Sequence, residues 1–213
     1  MTPITIMIVD DHKLVREAWV MILNSDQRFK VIAECPNAES AIMQVKDVRP
    51  SVVIVDINMP GMSGLDAVPH IRKFSPASKI LAVSCYSFPD IARKIIQAGA
   101  LGYVTKNSSK DEMMLAITEI VKGYRYLCEE IKSLVKERKD GADDPKTLLS
   151  SLSLRQIEII SAIRIGQTSK EIAEHLKLAP KTVEIHRYKI LKKLKLNNAA
   201  ELVNFFNKHQ TEF

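Results

Sequence analysis

Ile4-Thr5-Ile6-Met7-Ile8-Val9 is largely apolar and β-branched, and it runs straight into Asp10-Asp11-His12. A short run of this kind without polar alternation is the pattern of a strand covered on both faces. Val52-Val53-Ile54-Val55 and Lys79-Ile80-Leu81-Ala82-Val83 repeat it, and weaker strands fit 30–34 and 101–105. The amphipathic stretches between them predict helices over 13–24, 38–48, 64–74, 89–98 and 110–122. Five strands alternating with helices predict an α/β fold, a doubly wound five-stranded parallel sheet with helices on both sides.

In such a fold chemistry gathers at the carboxyl ends of the strands, near the point where the strand order reverses. The first strand ends in Asp10-Asp11, the third in Asp56 and the fourth in Ser84, and Lys106 follows the fifth. Three carboxylates brought together repel one another unless a cation neutralises them, so an all-oxygen site for a hard divalent ion is expected, with Mg²⁺ the best fit. Such an ion leaves coordination positions for phosphoryl oxygens, and Lys106 and the Ser84 hydroxyl can stabilise further negative charge there.

These residues also carry a family resemblance. Ile8-Val9-Asp10-Asp11-His12, Asp56-Ile57-Asn58-Met59-Pro60-Gly61-Met62-Ser63-Gly64 and Ala98-Gly99-Ala100-Leu101-Gly102-Tyr103-Val104-Thr105-Lys106 together resemble the receiver domain of two-component response regulators, a flavodoxin-like fold. The three motifs stand in order, with 28 positions from Asp56 to Ser84 and 22 from Ser84 to Lys106. The resemblance implies that Asp56 is a phosphoacceptor, taking its phosphoryl group from a sensor histidine kinase. It also implies Mg²⁺ held by the side chains of Asp11 and Asp56 and the backbone carbonyl of Asn58, with Asp10 assisting through water. Lys106 is then the contact to the acyl phosphate, and Ser84 and Tyr103 form a switch pair in which the ring swings inward. Cys85 stands where a smaller Ala is common in the family, and Asn107 where many members have Pro. Gly61 and Gly64 supply backbone freedom to the loop beside Asp56, and Pro60 stiffens it.

From Leu152 onward the pattern is wholly helical. Ser153-Leu154-Arg155-Gln156 and Thr168-Ser169-Lys170-Glu171 are capping boxes, and Asn198 to Glu201 is a third. Leu154, Ile157, Ile160 and either Ile163 or Ile165 form the stripe of the first helix, which Gly166 ends. The second helix is expected over 168–176 and the third over 180–194, with Pro180 in the first turn. A short helix, a tight turn and a basic helix follow helix-turn-helix logic, with the third segment as the reader of the major groove of double-stranded DNA. With Val183, Ile190, Leu191 and Leu194 packed inward, the outer face presents Lys181, Glu184, Ile185, Tyr188, Lys189 and Lys192.

The segment 152–206 is similar to the four-helix DNA-binding domain of the LuxR type, through Gly166-Gln167-Thr168-Ser169-Lys170-Glu171-Ile172-Ala173 and Lys181-Thr182-Val183-Glu184-Ile185-His186. That similarity implies DNA contacts from Ser169 and Lys170 on the scaffold helix and from Thr182, Glu184, Ile185, Tyr188, Lys189 and Lys192 on the recognition helix. Ala179 takes the cap position where Ser or Thr is usual, and Glu184 stands where a basic residue is frequent. Receiver followed by LuxR-type domain is the order of the NarL/FixJ class.

Charge supports the division. Of the 213 residues, 31 are Lys or Arg and 25 Asp or Glu, giving a net +6. The balance is 15 against 13 over 1–128, 5 against 6 over 129–147 and 11 against 6 over 148–213, so most of the excess sits in the last third, as a polyanion partner requires. The expected organisation is therefore a receiver over 1–128, a helical linker and flexible tether over 129–147 around Asp140-Gly141-Ala142-Asp143-Asp144-Pro145, and a DNA-binding domain over 148–213. No run approaches the roughly 18 apolar residues of a membrane span, and the N-terminus lacks a secretory pattern, so a cytoplasmic protein is expected. Cys35, Cys85 and Cys128 are read as small buried hydrophobes.

The function this implies is a phosphorylation-gated transcription factor acting as a homodimer on two half-sites, with no catalytic turnover beyond its own phosphorylation and dephosphorylation. Two alternatives keep the residues. One binds DNA without phosphorylation. The other is a phosphoaspartate hydrolase, against which Asn58 stands where a haloacid dehalogenase-type enzyme places its general acid.

Overall fold

The computed structural model describes residues 2–136 and 151–208, in two compact units, Met1–Lys136 and Glu137–Phe213. In the first unit, strands β1 (Ile4–Val9), β2 (Phe29–Cys35), β3 (Val52–Asp56), β4 (Lys79–Ser84), β5 (Gly102–Thr105) and β6 (Tyr126–Leu127) form one parallel sheet in the order β2-β1-β3-β4-β5-β6. Helices α1 (Lys13–Asn24), α2 (Ala38–Val48), α3 (Gly64–Phe74), α4 (Pro89–Ala98) and α5 (Lys110–Val121) connect the strands, and α6 (Glu129–Lys136) follows β6. The sheet has six strands where five were expected. The sixth is two residues at the edge beside β5, too short for a periodic signal in the sequence.

Every residue of β3 and the last four of β1 are buried, which is why these strands read as unbroken apolar runs. The strand order reverses between β1, which pairs β2 on its other side, and β3, after which the strands add in the opposite sense. Register then decides what meets there. Val9 pairs with Val55, Asp56 with Val83 and Ser84 with Thr105, so Asp10, Asp56, Ser84 and Lys106 emerge at nearly one level. Asn37, Ser63 and Ser109 cap α2, α3 and α5 through their side chains, leaving each helix start fixed just beyond a strand end.

The helix expected to begin the linker at 129 is α6. It belongs to the first unit, and Ile131 on it is fully buried. Positions 137–147 of the expected tether lie outside the described residues.

The second unit contains, among its described residues, α7 (Leu154–Arg164), α8 (Ser169–His175), α9 (Pro180–Leu194) and α10 (Ala199–Lys208). Two of the three expected capping boxes are made in full, by Ser153 with Gln156 and by Thr168 with Glu171; in the third the Glu201 amide donates to Asn198 Oδ1 at 2.9 Å, while Glu201 Oε2 accepts from the Asn197 amide at 2.8 Å. The stripe of α7 ends at Ile163, 8% exposed, whereas Ile165 is 76% exposed. Gly166 follows with φ +84°, and the Gly166 and Gln167 amides donate to the Ile163 and Ala162 carbonyls, closing the helix as a Schellman motif. Val183, Ile190 and Leu194 pack α9 inward, against α7 and α8, together with Leu202 and Phe206 of α10 in the core of the unit. Cys35 and Cys128 are buried as expected, but Cys85 is exposed: it lies just past the last residue of β4, outside the covered strand.

Candidate functional site

The strand ends bring the predicted acids together. Oxygens of Asp10, Asp11 and Asp56, with a ring nitrogen of His12, all lie within 4.8 Å of one another. Lys106 Nζ donates to Asp10 Oδ2 at 2.9 Å and to Asp56 Oδ2 at 2.8 Å. The Asn58 amide donates to Asp56 Oδ1 at 2.9 Å, and the Ser84 hydroxyl donates to Asn58 Oδ1 at 3.0 Å.

Burial and charge act against each other here. Asp56 is 1% exposed, and loss of solvation pushes its carboxyl upward from the usual range despite the ammonium of Lys106 and the Asn58 amide. Burial also disfavours the Lys106 ammonium, but the Asp56 and Asp10 carboxylates outweigh it and its pKa rises. One cation thus compensates two acids, and Asp11 is left over: its Oδ1 is buried and accepts no hydrogen bond, with His12 Nδ1 3.1 Å away. An orphaned buried carboxylate oxygen in a cluster of three carboxylates suits a hard divalent cation with oxygen ligands, and the acidic pocket is compatible with Mg²⁺.

His12 and Arg16 escaped the reading of the sequence. The His12 amide donates to Asp10 Oδ1 at 2.8 Å, its ring Nδ1 lies 3.2 Å from the same oxygen, and Arg16 donates to the Asp10 carbonyl at 2.6 Å. His12 follows the acidic pair directly, so its adjacency was visible; Arg16 reaches back from the first turns of α1 and had no such signal.

The glycines beside Asp56 act differently from one another. Gly61 has φ +81°, where only glycine is comfortable. Gly64 has no such dihedral; a Cβ on it would lie 2.2 Å from the Asp56 carbonyl oxygen, so its requirement is the close approach of the α3 start to β3. The expectation of backbone freedom therefore describes Gly61 and not Gly64.

The Tyr103 ring is fully buried, and its hydroxyl donates to the Tyr86 carbonyl at 2.5 Å, while the Tyr86 amide donates to Ser84 Oγ at 3.1 Å. The ring of the expected switch pair is thus inward in this structure, and burial pushes its phenol well upward.

In the second unit Lys181, Glu184, Ile185, Tyr188, Lys189 and Lys192 of α9 are exposed, as is Lys170 of α8. Ile185 and Tyr188 are 46% and 66% exposed, apolar surface on an otherwise basic face. Thr182 and Ser169 are half-buried, and the Ser169 hydroxyl accepts from Arg187 at 2.8 Å, which ties α8 to α9. Ala179 has the extended backbone of a cap residue but makes no side-chain cap.

The family model of the response regulator receiver domain matches residues 6–118, and that of bacterial regulatory proteins, luxR family, matches residues 150–206. The chain is 32% identical over 206 residues to the response regulator UvrY of Escherichia coli (strain K12), covering 97% of this chain and 94% of that protein. It is 36% identical over 206 residues to the oxygen regulatory protein NreC of Staphylococcus haemolyticus (strain JCSC1435), covering 94% and 95%. Among solved structures, a LuxR-family two-component response regulator from Aurantimonas sp. SI85-9A1 superposes with a TM-score of 0.61 at 34% identity, over 63% of this chain and 96% of that one. RcsB from Salmonella enterica serovar Typhimurium, bound to a promoter in the presence of the phosphomimetic BeF3⁻, shares the fold with a TM-score of 0.67 at 22% identity, over 96% and 98%. With both family models matched in the order its two units present them, this chain belongs to the two-component response regulators of the NarL/FixJ class, DNA-binding regulators of transcription.

Proposed function

We propose that phosphorylation of Asp56 gates DNA binding by this regulator. The observation that carries this reading is the Lys106 ammonium between Asp56 and Asp10, beside the buried Asp11 Oδ1, which accepts no hydrogen bond. Asp56 is the nucleophile: one of its carboxylate oxygens attacks the phosphorus of a histidine kinase's phosphohistidine, the O–P bond forms, and the P–N bond breaks with its electron pair leaving on the imidazole. Mg²⁺ bound by Asp10, Asp11, Asp56 and the Asn58 carbonyl would neutralise charge on the transferred phosphoryl oxygens. Lys106, already within hydrogen-bond distance of Asp56, follows the new charge, and the Ser84 hydroxyl turns from Asn58 toward it.

The consequence is carried by Ser84, Tyr86 and Tyr103, which share one chain of hydrogen bonds next to α4. In the second unit, Lys170, Lys181, Lys189 and Lys192 meet phosphates, with Ser169 and Thr182 beside them. Glu184, Ile185 and Tyr188 face base edges. One such small unit offers few contacts, so two copies on two half-sites of the major groove are expected.

Wild type and Asp56→Ala are compared, with a small-molecule phosphodonor and Mg²⁺, by intact mass and by gel shift on promoter fragments. Phosphate uptake by wild type alone, accompanied by tighter binding, supports the reading. Equal DNA binding in all conditions favours the regulator that needs no phosphorylation. Steady phosphate release from organic monophosphates favours the hydrolase.

A further inference from the structure

Glu130 lies in the first turn of α6, far in sequence from the acids, yet its carboxylate is shared between two hydroxyls at the phosphoacceptor end of the sheet. Oε1 accepts from Ser87, in the segment between β4 and α4, and Oε2 accepts from Thr105 at 2.9 Å. Thr105 is the last residue of β5 and the neighbour of Lys106. Ser87 belongs to the same segment as Ser84, bonded to Asn58, and Tyr86, whose carbonyl holds the Tyr103 hydroxyl. Segment 84–88 is therefore tied at one end to the Asp56 loop and at the other to α6.

Helix α6 depends on such ties. Eight residues are too few to hold a helix by backbone bonds alone. It is seated by the fully buried Ile131, but Val135 is 49% exposed. A groove of about 350 Å³ remains between α6 and α4, lined by Ala92 and Ile96 on one side and Ile131 and Val135 on the other. Its N-terminus is held further by the Glu129 amide, which donates to Glu112 Oε1 at 2.8 Å from α5, and by the Lys132 ammonium, 4.9 Å from the centroid of the Tyr126 ring of β6.

We infer that Glu130 is the residue through which segment 84–88 and helix α6 sense each other, so that rearrangement of the segment unseats the first turn of α6 and undocking of α6 loosens the segment. α6 is the last described element before the chain continues into the second unit, so this tie is a route for the state of Asp56 to leave the first unit. Coupling of this kind is reciprocal: whatever displaces α6 changes the segment beside the phosphoacceptor by the same free energy. The link to Asp56 rests on the proposed phosphorylation; the tie between Ser87, Thr105 and α6 does not.

The test is amide hydrogen exchange of the full chain, read over 84–88 and over α6. In unliganded protein, Glu130→Ala and Ser87→Ala each speed exchange in α6 by about three- to tenfold, the range expected for losing a partly exposed hydrogen bond of ordinary net strength. The double variant is no faster than Glu130→Ala alone, and Glu130→Gln, which keeps one acceptor oxygen, falls between. Thermal melts establish that each variant is folded. Unchanged α6 exchange in Glu130→Ala, or effects of the two single changes that add in full, overturns the inference.

Beryllofluoride with Mg²⁺ supplies the second arm. In wild type 84–88 and α6 shift together, and in Glu130→Ala 84–88 shifts alone; an α6 that still follows in the variant overturns the relay. If 84–88 of wild type does not respond at all, the reading of Asp56 fails, and the unliganded variants still decide whether the tie exists.

Discussion

Lys106 Nζ is 2.8 Å from Asp56 Oδ2, and the same ammonium reaches Asp10 Oδ2 at 2.9 Å. Lys106 is only 17% exposed, so removing it leaves two carboxylates facing each other with little water. Lys106→Ala is expected to lose about 3 kcal/mol of stability in divalent-free buffer, the usual cost of stranding a buried partner. Millimolar Mg²⁺ substitutes for the lost cation, so it raises the variant's melting temperature more than that of wild type. Equal shifts in the two proteins would count against a shared cation site.

Removal of the other partner has the opposite sign. Burial raises the Asp56 carboxyl above its ordinary 3.8, so the folded protein binds this proton more tightly than the unfolded chain. Its contribution is favourable below about 3.8 and is lost as pH rises through the raised folded value. Asp56→Asn is therefore expected to melt above wild type at neutral pH without divalent ions, with Asp10 still pairing Lys106. The gap closes on acidification. A neutral-pH melt below wild type would show that the pair stabilises the unliganded fold.

Gly64→Ala tests the close approach of α3. Its Cβ would meet the peptide unit between Asp56 and Ile57, with the Asp56 carbonyl oxygen and carbon and the Ile57 Cα at 2.2, 2.9 and 2.8 Å, and none of these is the end of a flexible side chain. A loss of about 3 kcal/mol or more is expected, and, on the proposed reaction at Asp56, slower phosphorylation because the Asp56 carbonyl must move. Gly123→Ala provides the comparison: φ is +92° with nothing within 4 Å, so it costs about 1 to 2 kcal/mol through the backbone alone and leaves phosphorylation unaffected. Urea unfolding and phosphodonor kinetics on the pair would separate contact from conformation.

How far the sequence carried these results depends on the range of each interaction. Strand and helix limits in the first unit lie within a residue or two of the periodicity reading, because burial on both faces leaves an unbroken apolar run such as 52–55. Asp10, Asp56 and Lys106 were legible as strand-end residues, since parallel register alone makes them meet. Glu130 was not: an acid in a first helical turn is common, and nothing local shows that its partners are Ser87 and Thr105, 43 and 25 positions away. Arg187 was hidden in the same way. It counted toward the basic helix, yet its guanidinium is turned to Ser169 within the unit. The choice between Ile163 and Ile165 needed the position of Gly166 in the Schellman turn, which spacing alone does not give.

The turn between α8 and α9 offers a stabilising change. Lys177 has φ +52°, and the Lys177 and Leu178 amides donate to the Glu174 and Ala173 carbonyls, the Schellman arrangement usually closed by glycine. Lys177→Gly is expected to raise the stability of the second unit by about 0.5 to 1 kcal/mol, because the left-handed conformation costs a residue with a Cβ roughly 1 to 2 kcal/mol, and glycine's added freedom in the unfolded chain takes part of that back. An unchanged or lower unfolding midpoint would mean that Lys177 is held there by its side chain.

The DNA binding proposed for α9 separates into measurable parts. Lys189 and Lys192 are exposed with no apolar role in the fold, so Lys189→Ala and Lys192→Ala each lower affinity on every sequence and reduce the slope of log K against log salt by about 1. Glu184 carries the opposite charge on the same face, so Glu184→Gln changes the preferred bases while raising affinity modestly through lost repulsion from phosphates. Arg187→Ala behaves differently from both. Because Arg187 holds Ser169, its loss loosens α8 against α9, and the unit's melting temperature falls together with its affinity. Salt titrations with thermal melts distinguish the three. A slope change for Arg187→Ala equal to that of the lysines, with no change in melting, would instead place its guanidinium on the DNA.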